Sequence, residues 1–311
     1  MKILGIETSH DDTSLAILED GKILDMWTIS QIDIFKEFGG TIPELASREH
    51  IKNISIIQTL IQDKYDLNTI DYIAYTKEPG LIGSLQVGYL FASALSITLQ
   101  KPLIPINHLD GHFYHLLLII KLFFPALCLL VSGGHTQLLF SNDINDIQII
   151  GETLDDAVGE VFDKVANKLE LGFPGGPIID KIFEQYKDEY ITLSKPKTQA
   201  EFDFSFSGLK TQVLNLINQS KIKNQKLNKE QIAASFQKTA IDYLIQKTQK
   251  ALEKYNVKTL MLGGGVSSNK YLRSQFVKLH CNSIIPDLKY STDNGAMIAQ
   301  AAYLQFLKKN S

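Results

Sequence analysis

The chain is poor in sulfur: it has two cysteines in 311 residues, Cys128 and Cys281. Two thiols exclude a disulfide framework and a thiolate metal cage. Cys128 lies in the apolar run "ALCLLV" and reads as a small core residue. Positive charge is not in excess, with 31 Lys and Arg against 34 Asp and Glu and a net charge of −3. Composition therefore gives no electrostatic footprint for nucleic acid on this chain alone; a local basic patch or a basic partner would have to supply it. Long apolar runs are few. Residues 115–131 are interrupted by Lys121 and Pro125 and read as a helix end, a loop and a buried strand. Residues 83–100 carry Ser84, Gly88, Ala92 and Ser96 at a spacing of four. That small-residue stripe predicts a core helix packed on a sheet rather than a membrane span. The N-terminus "MKILGIETSHDD" turns acidic before any long apolar region, so no signal peptide is expected. The expected location is cytoplasmic, with no membrane partner. No segment reads G-x-x-x-x-G-K-[ST], and none has G-x-G-x-x-G spacing after a first strand, so a P-loop and a Rossmann dinucleotide site are unsupported.

What is present is an ordinary globular balance, 44% hydrophobic and 21% charged, in a length suited to two domains. The chain reads as strand, polar turn, strand, strand, helix, strand, and the theme then recurs. "GIETSHDDTSLAI" and "LLVSGGHTQLLF" are its two matching hairpins. The expected division is a first α/β lobe of 1–107 plus 293–311 and a second of 108–292, the latter carrying a helical insertion near 187–228. Two such lobes around a central cleft would gather hairpin turns and helix N-termini, which suit phosphate. That pattern fits a nucleotide-clamping protein, a sugar kinase included.

His108 and His112 in "INHLDGH" stand four apart in a chain of seven histidines. Asn107 can cap a helix there, with Asp110 as the capping-box acid, and the two histidines then share one helix face, with His115 near it. Spacing alone leaves a metal pair and a packing pair equally open. A zincin protease would need glutamate directly after the first histidine; Leu109 occupies that position, and Asp110 points away. The clusters "VSGGH" (131–135), "PGGP" (174–177) and "GGGVSSN" (263–269) favour a nucleotide site, since glycine lets a ligand approach the backbone. Asp11, Asp12, Asp163, Asp180 and Asp293 are the acids beside these turns. Each could be a plain cap, and Asp293 is read as the cap of the last helix. With two imidazoles, Asp293 would also complete a three-ligand metal site.

Nine motifs then occur in order: "GIETSHDDTSLAI", "GGTIPELASREH", "INHLDGH", "LLVSGGHTQL", "DDAVGEVFDK", "PGGP", "FSFSGLKT", "GGGVSSN" and "TDNGAMIA". Together they resemble, over almost the whole chain, the tRNA N6-adenosine threonylcarbamoyltransferase family, the bacterial TsaD type once taken for glycoproteases. The resemblance implies the duplicated actin-like, sugar-kinase and Hsp70-type (ASKHA) α/β fold. It implies transfer of threonylcarbamoyl from threonylcarbamoyl-adenylate to N6 of adenosine 37 in tRNAs reading codons that begin with A, forming t6A and releasing AMP. It implies one divalent metal, iron or zinc, on His108, His112 and Asp293, and an adenylate held by Leu130, Val131, Ser132, Gly133, Gly134, Asp163, Gly176, Asp180 and Asn269. Asp11 and Asp12 are the catalytic candidates. Implied partners are tRNA, a paralogous inactive subunit of the TsaB type and a small ATPase of the TsaE type. A non-catalytic scaffold and an ATPase or sugar kinase of the same fold are the alternatives. The chain departs from the family at His10 for cysteine, Asp12 for glutamate, Glu78 for glycine and Ser291 for cysteine.

Overall fold

The structure is a computed structural model that describes residues 1–119, 123–143, 146–223 and 227–309. The chain runs through β1 (Lys2–Glu7), β2 (Asp12–Glu19), β3 (Lys22–Ser30), α1 (Ile32–Phe35), α2 (Pro43–Gln62), β4 (Tyr72–Glu78), α3 (Ile82–Leu99), β5 (Leu103–Asn107) and α4 (His108–Ile119). It continues with β6 (Ala126–Val131), β7 (Thr136–Ser141), β8 (Ile147–Glu152), α5 (Val158–Lys168), α6 (Gly175–Gln185), α7 (Ser207–Ile222) and α8 (Lys229–Lys254). It ends with β9 (Thr259–Gly263), α9 (Lys270–Phe276), β10 (Ser283–Ile284) and α10 (Gly295–Lys309). Two compact units result: Met1–Lys121 with Asp293–Ser311, and Leu122–Thr292. The first break lies at 121/122 rather than at 107/108. Helix α4 stays with the first unit because it packs on α10 and on β5.

The first unit holds a five-stranded sheet of order β3-β2-β1-β4-β5. Its hairpins are antiparallel, and β1-β4-β5 are parallel. Central β2 is buried almost throughout, whereas edge strand β3 alternates between exposed and half-buried positions. Helix α10 lies flush on β1. A Cβ on Gly5 would stand 2.2 Å from the Gly295 carbonyl oxygen, so both positions need a residue without a side chain. Helix α3 seats its small-residue stripe as expected, with Ser84, Gly88 and Ala92 buried; an added Cβ on Gly88 would meet Thr8 Oγ1 at 2.3 Å. Its other side differs from the expected core helix. Ile82, Leu90 and Ile97 are 64–79% exposed, because the stripe alone faces the sheet. By length and composition α3 also passes as a membrane span, with 22% of that window buried.

The second unit repeats the plan: its sheet order, β10-β9-β6-β7-β8, is the first order with each strand replaced by its counterpart. Every residue of β6, β7 and β9 is buried. The 187–228 segment is held by backbone bonds from Phe204 to Glu152 and from Leu154 to Phe204. It supplies one helix, α7. Residues 224–226 of that segment lie outside the described residues. The "DD" of "DDAVGEVFDK" precedes α5 and also serves another element. Asp155 accepts from Ser205 Oγ and from the Phe206 and Ser207 amides at the start of α7, and Asp156 pairs with Lys164 and Lys210.

Candidate functional site

In the first unit β5 ends on Asn107, whose Oδ1 accepts the Leu109 amide at 2.9 Å and the Asp110 amide at 3.3 Å. This cap starts α4 one residue later and sets His108 and His112 on a single buried face, 4% and 5% exposed, with rings 4.8 Å apart and nearly perpendicular. Asp110 lies on another side, beside Tyr114. Burial first, and the Asp110 charge second, push the Tyr114 hydroxyl up to about 12. Asp110, the nearest acid in the sequence, is therefore directed to Tyr114 and is not placed as a protease base would be. The side chain of His115 lies outside the described residues.

Asp293 comes from the far end of the chain, and it does not cap α10: Asn294 Oδ1 does so, accepting the Met297 amide at 3.0 Å. The shift by one residue leaves the Asp293 carboxylate to the histidines. Its Oδ1 lies 3.0 Å from His112 Nε2 and 3.5 Å from His108 Nε2. Two imidazole nitrogens and a carboxylate oxygen, all within 4.8 Å of one another, form a donor set that fits a divalent transition metal with open positions. The electrostatics agree. Burial disfavours charge on His108, but the carboxylates of Asp293 and Glu7 outweigh it and hold the imidazole well above its usual range. Burial likewise pushes the carboxyls of Asp293 and Glu7 up, and the neighbouring His108 charge and hydrogen bonds bring both below the ordinary value.

The first turn lies between β1 and β2. Asp11 Oδ1 is 2.9 Å from His10 Nδ1, and the Asp11 carbonyl accepts from the Gln31 amide. Burial disfavours charge on His10, and Asp11 more than restores it. His10 is paired with Asp11 and is not among the three candidate ligands. Asp12 opens β2, 8% exposed, with Oδ1 lacking any hydrogen-bond partner. Burial, then the Asp11 charge, push its carboxyl up to about 7. The turn is held by His50 of α2, which sequence reading passed over. Thr13 Oγ1 lies 2.7 Å from His50 Nδ1, and Nε2 lies 2.9 Å from the His10 carbonyl oxygen. Burial keeps this imidazole below its ordinary range, so a neutral ring takes one bond and gives the other.

In the second unit two of the glycine loops, 131–135 and 263–269, meet at the C-terminal end of β6, while the 174–177 turn packs on α5. The Ser132 amide donates to the His135 carbonyl, and the His135 amide to Ser132 Oγ, closing the turn around Gly133 and Gly134. The Gly159 amide, in the first turn of α5, donates to the Ser132 carbonyl at 3.2 Å. Gly264, with φ +82°, runs so close that a Cβ there would sit 2.3 Å from the Val131 carbonyl oxygen. Gly133, Gly134, Gly176 and Gly265 face open space: an added Cβ would meet nothing within 4 Å. A helix N-terminus beside an open glycine turn is a phosphate-binding arrangement. The side chains of Leu130 and Val131, expected to touch substrate, are core residues of β6, leaving only their backbone for that task. Asp163 Oδ1 accepts the Gly175 amide at 2.6 Å, and Asn269 caps α9 through the Leu272 amide. Asp180 accepts from Gln237 at 2.7 Å and from the Lys270 amide at 3.1 Å, so Asp180 and Asn269 converge on one loop.

Comparison with known proteins follows the same lines. A family model for tRNA N6-adenosine threonylcarbamoyltransferase matches residues 22–300. The chain belongs to that family. It is 64% identical to the tRNA N6-adenosine threonylcarbamoyltransferase of Mycoplasmopsis synoviae, over all of both chains. It is 62% identical to that of Mycoplasmopsis agalactiae, over 99% of this chain and 100% of the relative. Among solved structures it resembles the activator of the 2-hydroxyisocaproyl-CoA dehydratase from Clostridium difficile, with a TM-score of 0.55, 14% identity, and coverage of 100% and 98%. It also resembles T. kodakarensis HypF, with a TM-score of 0.64, 12% identity, and coverage of 98% of this chain and 48% of that one. These likenesses concern the fold, and they agree with the duplicated ASKHA plan expected of a threonylcarbamoyltransferase.

Proposed function

We propose that this chain transfers the threonylcarbamoyl group of threonylcarbamoyl-adenylate to N6 of adenosine 37 in tRNAs reading codons that begin with A, with release of AMP, and that it acts in the cytoplasm. The observation that carries the reading is the cluster of buried His108 and His112 with half-buried Asp293, in a chain alike over its full length to relatives bearing the transferase name. Two imidazoles are the wrong donors for the magnesium of a kinase or ATPase, which takes oxygen ligands. Intact ligands and open glycine loops favour an enzyme over a scaffold.

The donor is a mixed anhydride. The acyl C–O bond to the adenylate phosphate breaks as the C–N bond to adenine N6 forms, and one N6 proton must leave. Adenine N6 is a poor nucleophile, so alignment matters more than strong base catalysis. His108, His112 and Asp293 would hold one divalent ion, iron or zinc, which when bound supplies a Lewis acid and a template for the threonylcarbamoyl end. To the amides of Gly133 and Gly134, beside the positive end of α5, we assign the adenylate phosphate and the charge that develops as AMP departs. Asp163, Gly176, Asp180 and Asn269 hold the ribose side, partly by fixing the loops around it. Asp12, with a carboxyl near neutrality, suits the N6 proton, and Asp11 steers the incoming amine.

Partners complete the reading. Ile51, Ile56 and Leu60 on α2, and Ile82, Tyr89, Leu90 and Ile97 on α3, are exposed apolar side chains on two packed helices. Apolar surface of this kind favours a protein partner, and we assign it to the paralogous subunit of the TsaB type, with a small ATPase of the TsaE type completing the assembly. The test is reconstitution with threonylcarbamoyl-adenylate, both partners and unmodified tRNA, read by mass spectrometry of the digested nucleosides. The expected product is threonylcarbamoyladenosine at position 37; its absence from an otherwise competent mixture sinks the reading.

A further inference from the structure

The metal reading uses His108 through Nε2 and leaves its other ring nitrogen unexplained. That nitrogen, Nδ1, lies 3.1 Å from Glu7 Oε2 and 3.2 Å from Ser9 Oγ. Glu7 is the last residue of β1, a central strand, and is fully buried at the end of an otherwise apolar run. A carboxylate in such a place costs several kcal/mol unless donors surround it. Three do, from three different parts of the first unit. The Ser9 amide donates to Oε1, the Thr76 hydroxyl on β4 donates to Oε2 at 2.5 Å, and His108 of α4 meets the same oxygen.

An ionised carboxylate only accepts, so the atom facing it on His108 must carry the proton. The tautomer is thereby Nδ1–H, with Ser9 Oγ taking a second branch of the same hydrogen. Nε2 is then the nitrogen turned to Asp293 Oδ1, at 3.5 Å, and to His112, and it is the one that gives up its proton to take a metal ion. Thr76 and the Ser9 amide hold Glu7 in one orientation, and Glu7 in turn fixes the ring plane and tautomer of His108. From this geometry we propose that Glu7 is the positioning residue of the metal centre: it presets His108 as a ligand and makes its nitrogen a stronger donor, without itself reaching the metal.

The proposal rests on the metal reading, and the experiment separates the two. Co(II) is titrated into wild-type, Glu7→Ala and Glu7→Gln proteins, with affinity taken from competition against a chromogenic chelator and geometry from the Co(II) ligand-field spectrum. Circular dichroism and metal-free Tm are read in parallel. Glu7→Ala is expected to weaken Co(II) by roughly 10–100-fold and to change the spectrum. Glu7→Gln keeps an acceptor oxygen without the charge, and is expected to fall between that variant and wild type. Should Glu7→Ala not fold, the Glu7→Gln deficit carries the same conclusion. A purely structural carboxylate would lower the metal-free Tm and leave affinity and spectrum at wild type in the folded variants, which overturns the proposal. A wild-type protein that takes up no Co(II) overturns the metal reading beneath it.

Discussion

The two units share one strand order and differ in what they do with it. In the first, the chemistry lies in side chains: His108, His112, Glu7 and Asp12 are all under 10% exposed, and Asp293 joins them from the start of the last helix. In the second, the β6–β7 turn offers backbone. Gly133 and Gly134 face open space, while Asp163, Asp180 and Asn269 are occupied in holding loops and helix ends. A duplicated scaffold has thus been filled in two ways. Buried titratable groups suit a compact cation, and open amides at a helix start suit a phosphate.

The sharpest way to break this contrast is to remove a ligand. His108→Ala or Asp293→Ala should abolish stoichiometric metal uptake and lower transfer by about two orders of magnitude or more. Elemental analysis alongside nucleoside mass spectrometry reads both, and full transfer by a metal-free variant would deny the first unit its chemical role. In the second unit Gly264→Ala must force a Cβ against the Val131 carbonyl at positive φ. It should cost about 3 kcal/mol of stability in urea unfolding. Gly134→Ala at the open turn should leave Tm unchanged but weaken a non-hydrolysable adenylate in calorimetry by roughly 10-fold. Equal behaviour of these two glycines would erase the distinction between a packing glycine and a ligand-facing one.

Asp12 supplies a pH test of the first unit. Its carboxyl is raised from 3.8 to about 7, so the folded state prefers the protonated form. That preference stabilises fully below pH 4 and is lost as pH rises through 7. Asp12→Asn, which stays neutral, should match wild type at acid pH and exceed it at pH 8 by about 4 kcal/mol in metal-free urea unfolding. A constant offset at all pH values would show that Asp12 titrates normally. The smallest effect on stability is expected at the surface: Leu90→Ser with Ile97→Ser should leave the unfolding free energy within about 0.5 kcal/mol of wild type yet abolish co-elution with the paralogous subunit.

Much of this was legible in the sequence, because strand periodicity and small-residue spacing act locally. The hairpins, the α3 stripe and the helix face shared by His108 and His112 follow from residues a few positions apart. Charged groups inside apolar strands were less legible. Glu7 sits in "KILGIET", a run that reads correctly as a strand, and the one acid at its buried end was the available signal. His50 gave less, since a histidine in an amphipathic helix is ordinary until its distant partners, Thr13 and His10, are known. The cap of α10 shows the limit of local reading. Asp293 and Asn294 are both good caps, and only the three-dimensional demand of two imidazoles decides which is used. Leu130 and Val131 show the reverse case, where a motif marks a place in the backbone rather than the side chains that fill it.

The bond between His112 and Asp293 spans 181 positions of chain, and the whole second unit lies within that span. During synthesis the two histidines emerge early, while the carboxylate follows only after the second unit has left the ribosome. A chain stopped anywhere before residue 293 holds an imidazole pair that lacks its third donor. Tight metal loading, on the proposed metal reading, would therefore require chain synthesis to pass residue 293, and a metal-retention assay on truncated products would sort the molecules that reach it from those that stop short.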